Sequence, residues 1–405
     1  MSPRLRPALG RRLGNGAAMR AVAGLIVLVA SLQALGASGG CSKEPQLGDP
    51  LPDLNDDQRA RFVAGRVVFE QAFAPEQGLG PLFNADACAE CHEDPVVGGG
   101  GDELETHIAV PVAGGACDML LARGGPVFQS HATPALTAAT GDTSDPLPKE
   151  PFVRATRSSP DVFGMGLLDA VTEREILSRA DSADRNRDGI SGRANRFADG
   201  RVGRFGRKAF SPSLDEFNAG AFVIEMGITN PGSLVEETIG GAPIPPAADP
   251  TPEPELGAEA LAFALDYVRF LAPPQPVPLT SSAQRGRALF SDYGCASCHT
   301  PALKTGKNRV RALDYKTVYA YTDLLLHDMG PERADICLGL ASPSEFRTEP
   351  LMGLRFVKLF MHDGKATTPD EAIEMHGGEG QRAREKFRKA SSKDREALLE
   401  FLRSL

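Results

Sequence analysis

The chain has 405 residues, 41% of them hydrophobic, so it is long enough for two to three domains with apolar cores. Its formal net charge is −9, and residues 1–40 hold five Arg and no acidic residue, so their removal leaves −14. This negative balance excludes the electrostatic footprint of a nucleic-acid-binding protein and favours partners that carry basic patches.

The N-terminus has the pattern of a signal peptide, which we predict over residues 1–40. Arginines precede an apolar run from Ala21 to Leu35, and small residues and Cys41 follow. The run is short for a transmembrane helix and no later stretch approaches membrane-spanning length, so we expect a periplasmic protein without an integral membrane segment. A lipid anchor at Cys41 and simple cleavage nearby are both compatible with the pattern.

A short internal repeat follows. The first predicted helix begins near Asn55, a good capping residue, and carries phenylalanines at helical spacing. Its segment Gly65–Phe69 (GRVVF) recurs as Gly286–Phe290 (GRALF), and each copy lies ahead of a Cys-x-x-Cys-His pentapeptide. The repeat predicts one structural unit used twice.

The two pentapeptides indicate covalently bound haem. Each supplies two thiols for thioether bonds and an adjacent imidazole as proximal iron ligand. A zinc clip, a disulfide and a redox dithiol are the alternatives, but a zinc ribbon needs a second pair close by and a thioredoxin-like site needs a βαβ unit. The sequence therefore predicts two haem c groups, on Cys88, Cys91 and His92 and on Cys295, Cys298 and His299.

With the remaining predicted elements, the chain has twice the element order of a small c-type cytochrome: a helix, a haem motif, a ligand loop and a closing helix. A helix is predicted over residues 261–271, a stiff linker over 273–278 and a closing helix over 397–405. Strand signals are weak throughout. We predict a mainly α protein with two cytochrome c-like haem domains, 50–275 and 279–405, joined by long Gly/Pro-rich loops.

Several segments of the chain form a recognisable set. They are YTDLLLHDMG (321–330), FRTEPLMGLR (346–355), FMHDG (360–364) and HGGE (376–379) in the second half, and FGMGLL (163–168) and GRFG (203–206) in the first. With these segments the chain resembles the di-haem oxidoreductases classed as peroxidases, a family related to the bacterial di-haem cytochrome c peroxidases and to MauG, the enzyme that matures a quinone cofactor. The resemblance runs from about Leu54 to Leu405 and is stronger in the second half.

The resemblance implies that the haem on His92 is the catalytic one. It aligns Glu225, which precedes a Met-Gly pair, with the catalytic Glu of the peroxidases. A carboxylate above the iron can move a proton from the near peroxide oxygen to the far one. Asp169 is the second candidate for this role. For the sixth position of the first haem, His107, His131 and an open iron are alternatives.

The haem on His299 is implied to be the electron relay, which needs a second axial ligand. Where the peroxidases have a Met, this chain has His376, with Met375 and His327 as rivals. A bis-His iron has a lower reduction potential than a His/Met iron. His362 is expected to bond structurally within its turn.

One departure concerns electron transfer between the haems. The peroxidases and MauG have a Trp there, but this sequence contains no Trp, and Phe205 or Arg207 takes that place. Hopping through an oxidised indole is therefore excluded, which makes long-range radical chemistry of the MauG kind less expected.

Two further groups of residues could bind a metal ion or form a disulfide. Asp184, Asn186 and Asp188 are spaced like the ligands of a calcium loop, although an Asp/Asn-rich turn explains the same pattern. Cys117 and Cys337 are left over from the haem motifs, and in an oxidising compartment they form either a disulfide or two free thiols.

These features lead to a functional prediction: a periplasmic di-haem c-type peroxidase. It would reduce hydrogen peroxide at the first haem with electrons relayed through the second, and its donor would be a small periplasmic cytochrome or copper protein. The alternatives are a di-haem electron carrier without catalysis and a haem enzyme that oxidises an organic or protein substrate.

Overall fold

The computed structural model of the protein describes residues 44–113 and 116–405. The predicted signal peptide and Cys41 lie outside the described residues, so both stay predictions. Residues Glu44–Leu405 form one compact unit. Within the described ranges no helix is both long enough and apolar enough to cross a membrane.

Helical residues outnumber strand residues by more than two to one, so the fold is mainly α, as the sequence predicts. The helices are α1 (Asp56–Glu70), α2 (Cys88–Cys91), α3 (Pro134–Thr140), α4 (Met165–Asp169), α5 (Glu173–Leu177), α6 (Leu214–Met226), α7 (Ala258–Phe270), α8 (Ser281–Tyr293), α9 (Pro369–Glu374), α10 (Gln381–Lys389) and α11 (Ser392–Leu402). Short 3-10 turns include Cys295–Ser297 and Gly378–Gly380.

The strands are short and come in small antiparallel groups. They are β1 (Leu82–Phe83), β2 (Leu104–Pro111), β3 (Cys117–Asp118), β4 (Val127–Phe128), β5 (His131–Ala132), β6 (Val153–Ser158), β7 (Leu303–Lys304), β8 (Thr317–Val318), β9 (Leu326–Asp328) and β10 (Glu345–Arg347). Strand β2 pairs with β3, β4 and β6, and the long β2–β6 register runs from Leu104 opposite Ser158 to Ala109 opposite Val153. This sheet was not predicted, because its strands carry polar residues and lack a sustained alternation of apolar and polar side chains.

The first copy of the repeat forms one half of a helix pair, α1 against α7. Helix α1 starts at a capping box in which the Asn55 side chain accepts from the backbone N–H of Gln58 and the Gln58 side chain accepts from that of Asn55. The helices cross at Gly65, where an added Cβ would lie 2.0 Å from the Phe263 carbonyl oxygen. Beyond the crossing, the rings of Phe69 and Tyr267 pack with centroids 4.9 Å apart.

The second copy repeats this arrangement with α8 and α11. A Cβ on Gly286 would lie 1.9 Å from the Ala397 carbonyl oxygen. The Phe290 and Phe401 rings pack beyond that crossing with centroids 5.5 Å apart. The repeat in the sequence is therefore a repeat in structure: a glycine lets two helices approach, and an aromatic residue one turn later packs near the histidine of the pentapeptide.

The two halves share one hydrophobic core. Leu168 and Leu271 from the first half belong to the same buried cluster as Leu303 and Leu325 from the second. A disulfide between Cys117 and Cys337, whose Cα atoms are 5.8 Å apart, links β3 to the second half as well. The boundary between the predicted domains 50–275 and 279–405 stays a prediction.

We expect Gly65→Ala and Gly286→Ala each to destabilise the protein by about 1–3 kcal/mol or more, because the new methyl group overlaps a backbone carbonyl that cannot move alone. Gly220→Ala is the matched control: it lies in α6, and its Cβ would meet only Ile224 Cδ1 at 3.9 Å. That change should stabilise by about 0.5–1 kcal/mol through helix propensity. Denaturant unfolding of the three variants measures the difference, and equal effects would contradict the close crossings.

Candidate functional site

The first pentapeptide lies on the single turn of α2, with His92 directly after it. Nδ1 of His92 is 2.9 Å from the carbonyl oxygen of Pro160, so Nδ1 carries the proton and donates. Burial lowers the pKa of His92. The imidazole is thus neutral, with the Nε2 lone pair available to a metal, which is the tautomer that a second partner commonly fixes in metal-binding histidines. The Phe69 ring packs 6.1 Å from it, centroid to centroid.

The second pentapeptide has the same local arrangement. It lies on the 3-10 turn Cys295–Ser297, and Nδ1 of His299 donates to the carbonyl oxygen of Tyr321 at 3.1 Å. The Phe290 ring lies 6.4 Å from the His299 ring. Burial, with the neighbouring His376 ring, lowers the pKa of His299 to about 4. This imidazole is also neutral and presents Nε2.

His376 lies opposite His299. The two ring centroids are 6.4 Å apart, and Nδ1 of His376 donates to the Ala372 carbonyl oxygen at 2.7 Å, which leaves its Nε2 free. Metal–imidazole bonds are about 2.0–2.1 Å long and the ring centre lies about 1 Å further on, so two imidazoles on opposite sides of one metal have centres about 6 Å apart. The observed separation has this value.

A large cavity surrounds this pair. Its volume is about 820 Å³, at the upper end of the range of sites for small molecules and cofactors. Its lining includes Cys295, Cys298, His299 and His376. The donor set, two thiols and two neutral imidazoles around one cavity, fits a covalently attached haem.

The same cavity reaches towards the first motif. Pro160, whose carbonyl accepts the hydrogen bond from His92, lines it together with Ser159 and Asp161. Arg207 also lines it, donating to the Ser158 carbonyl at 2.7 Å and pairing with Glu349 at 2.9 Å. Residues 159–161 and Arg207 therefore line the cavity that contains the second pentapeptide, and Pro160 also contacts the histidine of the first.

The two rival ligands of the second haem have other partners. Met375 Sδ accepts from the Arg333 guanidinium at 3.7 Å. Both nitrogens of His327 are used, Nε2 by Asp323 at 2.9 Å and Nδ1 by Glu379 at 2.6 Å. Burial alone would lower the pKa of His327, but its hydrogen-bonded partners raise it to about 12. His327 is thus a buried imidazolium, held beside Cys298 with Nδ1 3.5 Å from Sγ.

The His362 ring is also held by neighbouring side chains. Its ring stacks on Phe346 with centroids 3.9 Å apart, and Nε2 lies 3.5 Å from the Asp335 carboxylate. Burial lowers the pKa of His362 to about 4. This arrangement agrees with the structural role expected for His362.

Glu225 is hydrogen-bonded to the segment that directly precedes the first pentapeptide. Its backbone oxygen accepts from the N–H groups of Asn84 at 2.7 Å and Ala85 at 3.2 Å. Its carboxyl Oε2 accepts from Asn84 Nδ2 at 3.0 Å. Burial raises the pKa of Glu225 well above its usual range, and the nearby charge of Glu105 adds to the rise. The structure therefore brings a buried carboxyl group close to the first pentapeptide, where burial and then the charge of the ionised Glu225 raise the pKa of the Cys91 thiol.

His107 lies next to this carboxyl group, on β2. Its Nε2 is 2.9 Å from Glu105 Oε1, burial lowers its pKa to about 4, and the charge of Glu225 partly opposes that fall. His131 lies on β5 instead, exposed, with its ring 5.5 Å from the Phe83 ring. Of the two predicted distal histidines, His107 is the one that the structure places near Glu105 and Glu225.

Asp169 serves the fold at the start of α6. Its Oδ1 accepts from the backbone N–H of Leu214 at 3.1 Å, and burial raises its pKa. The Arg204 and Arg269 guanidinium groups oppose that rise. Asp169 therefore has a structural role, in which its carboxylate holds the first residue of α6.

The predicted calcium loop is a set of exposed turns. Asn186 Oδ1 and Asp188 Oδ1 accept from the N–H groups of Asp188 at 3.1 Å and Ile190 at 2.9 Å, and Asp184 accepts from Gly189 at 3.3 Å. These are the local side-chain bonds of Asx turns. Calcium binding at the loop stays a prediction.

Sequence reasoning missed Asn84, Glu105, Asp323 and Glu379, all of which contact a candidate site residue. Asn84 and Glu105 lie outside the quoted motifs, whereas Asp323 and Glu379 lie in the segments YTDLLLHDMG and HGGE without having been assigned a role. Most of these contacts span long separations: Asn84 meets Glu225 across 141 positions, and Glu379 meets His327 across 52. The one local signal is Asp323, four residues before His327.

The comparisons with known proteins agree with the resemblance noted in the sequence. None of the curated proteins matches the chain. Among solved structures it is similar to hydrazine synthase of Kuenenia stuttgartiensis (14% identity, 93% of this chain and 99% of that one, TM-score 0.39), to a MauG-like protein associated with microbial copper homeostasis (13%, 91% and 95%, 0.40), and to the diheme peroxidase BthA of Burkholderia thailandensis (16%, 85% and 86%, 0.41).

The family model described as "Di-haem oxidoreductase, putative peroxidase" matches residues 126–405. The match contains the second pentapeptide, Glu225 and His376, and the first pentapeptide precedes it. It covers well over half of the sequence. The chain belongs to the di-haem oxidoreductase family.

Proposed function

We propose that the protein is an exported di-haem c-type peroxidase that reduces hydrogen peroxide at the His92 haem with electrons supplied through the His299 haem. One observation carries the proposal: the two pentapeptides differ in the side chain that lies near their histidine. At the second site a neutral imidazole, His376, faces His299. At the first site a buried carboxyl group, Glu225, is anchored to the entering chain.

This difference suits the second site to electron transfer and the first site to proton transfer. An iron with imidazoles on both sides has no position left for a substrate and is suited to electron transfer. A buried carboxyl group with a raised pKa beside the other iron is suited to moving protons. Cys88, Cys91 and His92 would hold the first haem, and Cys295, Cys298, His299 and His376 the second.

When bound, the haem iron supplies the redox chemistry that cleaves the peroxide bond. Reduction of one hydrogen peroxide takes up two electrons and two protons and gives two molecules of water, so protons must reach both oxygens. The Glu225 carboxylate accepts the proton of the near oxygen and returns it to the far oxygen as that oxygen leaves. The Asn84 amide, 3.0 Å away, fixes the direction in which the carboxyl group points.

Electrons would come from a small periplasmic donor, a cytochrome or a copper protein. Residues 159–161 and Arg207 line the cavity of the second pentapeptide, Pro160 contacts His92 of the first, and this sequence contains no Trp that could relay electrons. We infer direct electron transfer between the haems, which favours peroxide reduction over radical chemistry on a distant substrate.

Low-temperature EPR of the purified holoprotein, oxidised and half-reduced, tests the proposal. One high-spin haem, present at rest or opened by half-reduction, that reacts with one equivalent of peroxide supports a peroxidase. Two low-spin haems that stay inert to peroxide in every redox state would overturn it and leave an electron carrier.

We expect His376→Ala to convert the second haem from low spin to high spin, because it removes the imidazole opposite His299. His327→Gln is the matched control: it should keep the low-spin signal while lowering the free energy of unfolding by about 3–5 kcal/mol, since Asp323 and Glu379 lose their buried cation. EPR and urea unfolding measure the two effects. A low-spin second haem in His376→Ala would assign the ligand to another residue.

We expect Glu225→Gln to slow peroxide reduction by about two to four orders of magnitude, because the amide cannot exchange a proton. Since Glu225 must accept a proton before returning it, the wild-type kcat/KM should fall as the pH drops through its raised pKa, and the variant should lose that limb. Asp215→Asn, which removes an exposed carboxylate from the same helix, should leave both rate and profile unchanged. Stopped-flow peroxide kinetics against pH decides; an unaltered profile in Glu225→Gln would assign the proton transfer to another group.

A further inference from the structure

The segment between β7 and β8 carries a local excess of positive charge. Residues 304–316 (KTGKNRVRALDYK) contain five basic residues and one acidic residue, so their formal charge is +4. The chain from residue 41 onwards has a formal charge of −14, so this segment is a basic region on an acidic protein. The five basic residues are Lys304, Lys307, Arg309, Arg311 and Lys316.

Backbone hydrogen bonds close this segment into a loop, which we call the basic loop (residues 303–319). Strand β7 pairs with β8 at its base, and the Tyr315 N–H donates to the Gly306 carbonyl at 3.1 Å. The one acidic side chain is used inside the loop, because Asp314 Oδ1 accepts from the Asn308 N–H at 2.7 Å. That carboxylate is thus bonded to the backbone of the loop, and the basic side chains extend from a closed frame.

Four of the five basic side chains are exposed. They belong to Lys304, Lys307, Arg309 and Arg311. Among the residues that the structure describes, none of these four side chains makes a salt bridge or a hydrogen bond, whereas Lys316 pairs with Asp53 at 3.2 Å. The four unpaired cations are therefore available to a partner outside the chain.

Helix α10 is also rich in basic residues, but the structure gives several of them partners within the chain. Arg388 pairs with Glu374, and Lys386 donates to the Asp292 carbonyl at 2.7 Å. The basic loop therefore differs from α10 in its unpaired charge rather than in its composition.

Two tyrosine side chains lie exposed on the same loop. Tyr315 is 71% exposed and Tyr319 is 65% exposed. Aromatic residues and arginines are enriched where proteins contact one another. Exposed aromatic rings on a loop that also carries unpaired arginines therefore indicate a protein-binding surface.

The basic loop lies in the chain between the second proximal histidine and the residue that orients it. Nδ1 of His299 donates to the Tyr321 carbonyl at 3.1 Å, and the Tyr321 N–H donates to the Pro301 carbonyl at 3.4 Å. Tyr319 is two residues before Tyr321, so their Cα atoms are at most about 7 Å apart. A partner that contacts Tyr319 would therefore dock beside the backbone that holds His299.

We propose that the basic loop is the docking surface for the acidic face of a small electron-donor protein. The inference rests on the proposed function, in which electrons enter through the His299 haem, and it adds where the donor binds and which charge its surface carries. In each encounter one electron leaves the donor, which is oxidised, and reduces the ferric second haem. No proton or chemical group is transferred.

The local charge decides which partner the loop binds. Ions screen charges over about 8 Å at physiological ionic strength, so a docked protein responds more to the groups beside it than to the distant remainder of the chain. The net charge of the chain predicts partners with basic patches, but the four unpaired cations at this surface predict an acidic partner. Complementary charge raises the association rate and suppresses wrong partners.

An anionic membrane surface also attracts clustered cations. The position of the loop favours a redox protein over a membrane, because the loop joins the two residues whose hydrogen bond fixes the second proximal imidazole. Electron transfer requires this proximity, and membrane binding does not.

Stopped-flow electron transfer from the reduced holoprotein to an oxidised acidic copper protein of the plastocyanin type tests the docking surface. A bis-His iron has a low reduction potential, so electrons flow from the second haem to the copper, through the same docked complex as in the forward direction. Peroxide is absent from this reaction, so the result does not depend on peroxide reduction.

We expect the wild-type rate to fall as salt is added. Lys307→Glu combined with Arg309→Glu should slow the reaction by about tenfold or more at low ionic strength and should speed the reaction with a basic cytochrome c. Lys149→Glu combined with Arg154→Glu is the matched control, since it changes the net charge equally at two exposed residues before and on β6. It should leave both rates unchanged.

Three results would overturn the proposal. The first is an unchanged rate in the Lys307→Glu, Arg309→Glu variant; if that variant also loses the binding of the wild type to phosphatidylglycerol vesicles, the loop contacts a membrane instead. The second is equal slowing in the control, which assigns the effect to net charge. The third is a wild-type rate with the acidic copper protein that rises with salt. Confirmed docking together with two haems inert to peroxide would overturn the peroxidase function alone.

Discussion

A hydrogen bond from Nδ1 to a backbone carbonyl fixes each imidazole of the candidate haem sites. His92 donates to Pro160, His299 to Tyr321 and His376 to Ala372. The bond sets the tautomer, so the lone pair is on Nε2, and it sets the direction of the ring. The orientation of the three imidazoles therefore depends on how the fold positions the carbonyl groups of Pro160, Tyr321 and Ala372. Pro160 shows this best, since it follows β6 and is held by the β2–β6 sheet that also carries Glu105 and His107.

The same kind of helix pair, with a glycine at its crossing, supports both pentapeptides, but the two copies differ in the side chains that lie near the pentapeptide histidine. In the second half, α9 ends beside Met375 and supplies His376, so the site is closed by an imidazole. In the first half, β2 and the end of α6 supply Glu105, His107 and Glu225, so the site is faced by groups that exchange protons. The same helix frame therefore presents an imidazole at the second pentapeptide and titratable groups near the first, a difference that would suit an electron relay and a reactive site under the proposed function.

Local features of the chain could be predicted from the sequence because their partners are close along it. The pentapeptides place two thiols and an imidazole within five residues, and the Asn55 cap and the Gly65–Phe69 repeat act within one or two helical turns. The rest depends on contacts between distant positions. Glu225 meets Asn84 across 141 residues, Cys117 meets Cys337 across 220, and Glu379 meets Ser191 across 188. No periodicity or spacing specifies such pairs.

The contacts of Glu379 show how the two halves are coupled electrostatically. Its carboxylate accepts from the Ser191 N–H at 3.1 Å and hydroxyl at 2.5 Å, and it lies 2.6 Å from Nδ1 of His327. His327 in turn lies 3.5 Å from Cys298 Sγ. A residue of the first half therefore helps to hold His327, the cation of a triad with Asp323 and Glu379 that contacts the second pentapeptide. Because this group of one imidazolium and two carboxylates is buried, solvent screens its charges little, and they act on the second pentapeptide at short range. Any movement of residues 181–192 that displaced Ser191 would loosen Glu379 and change the electric field there.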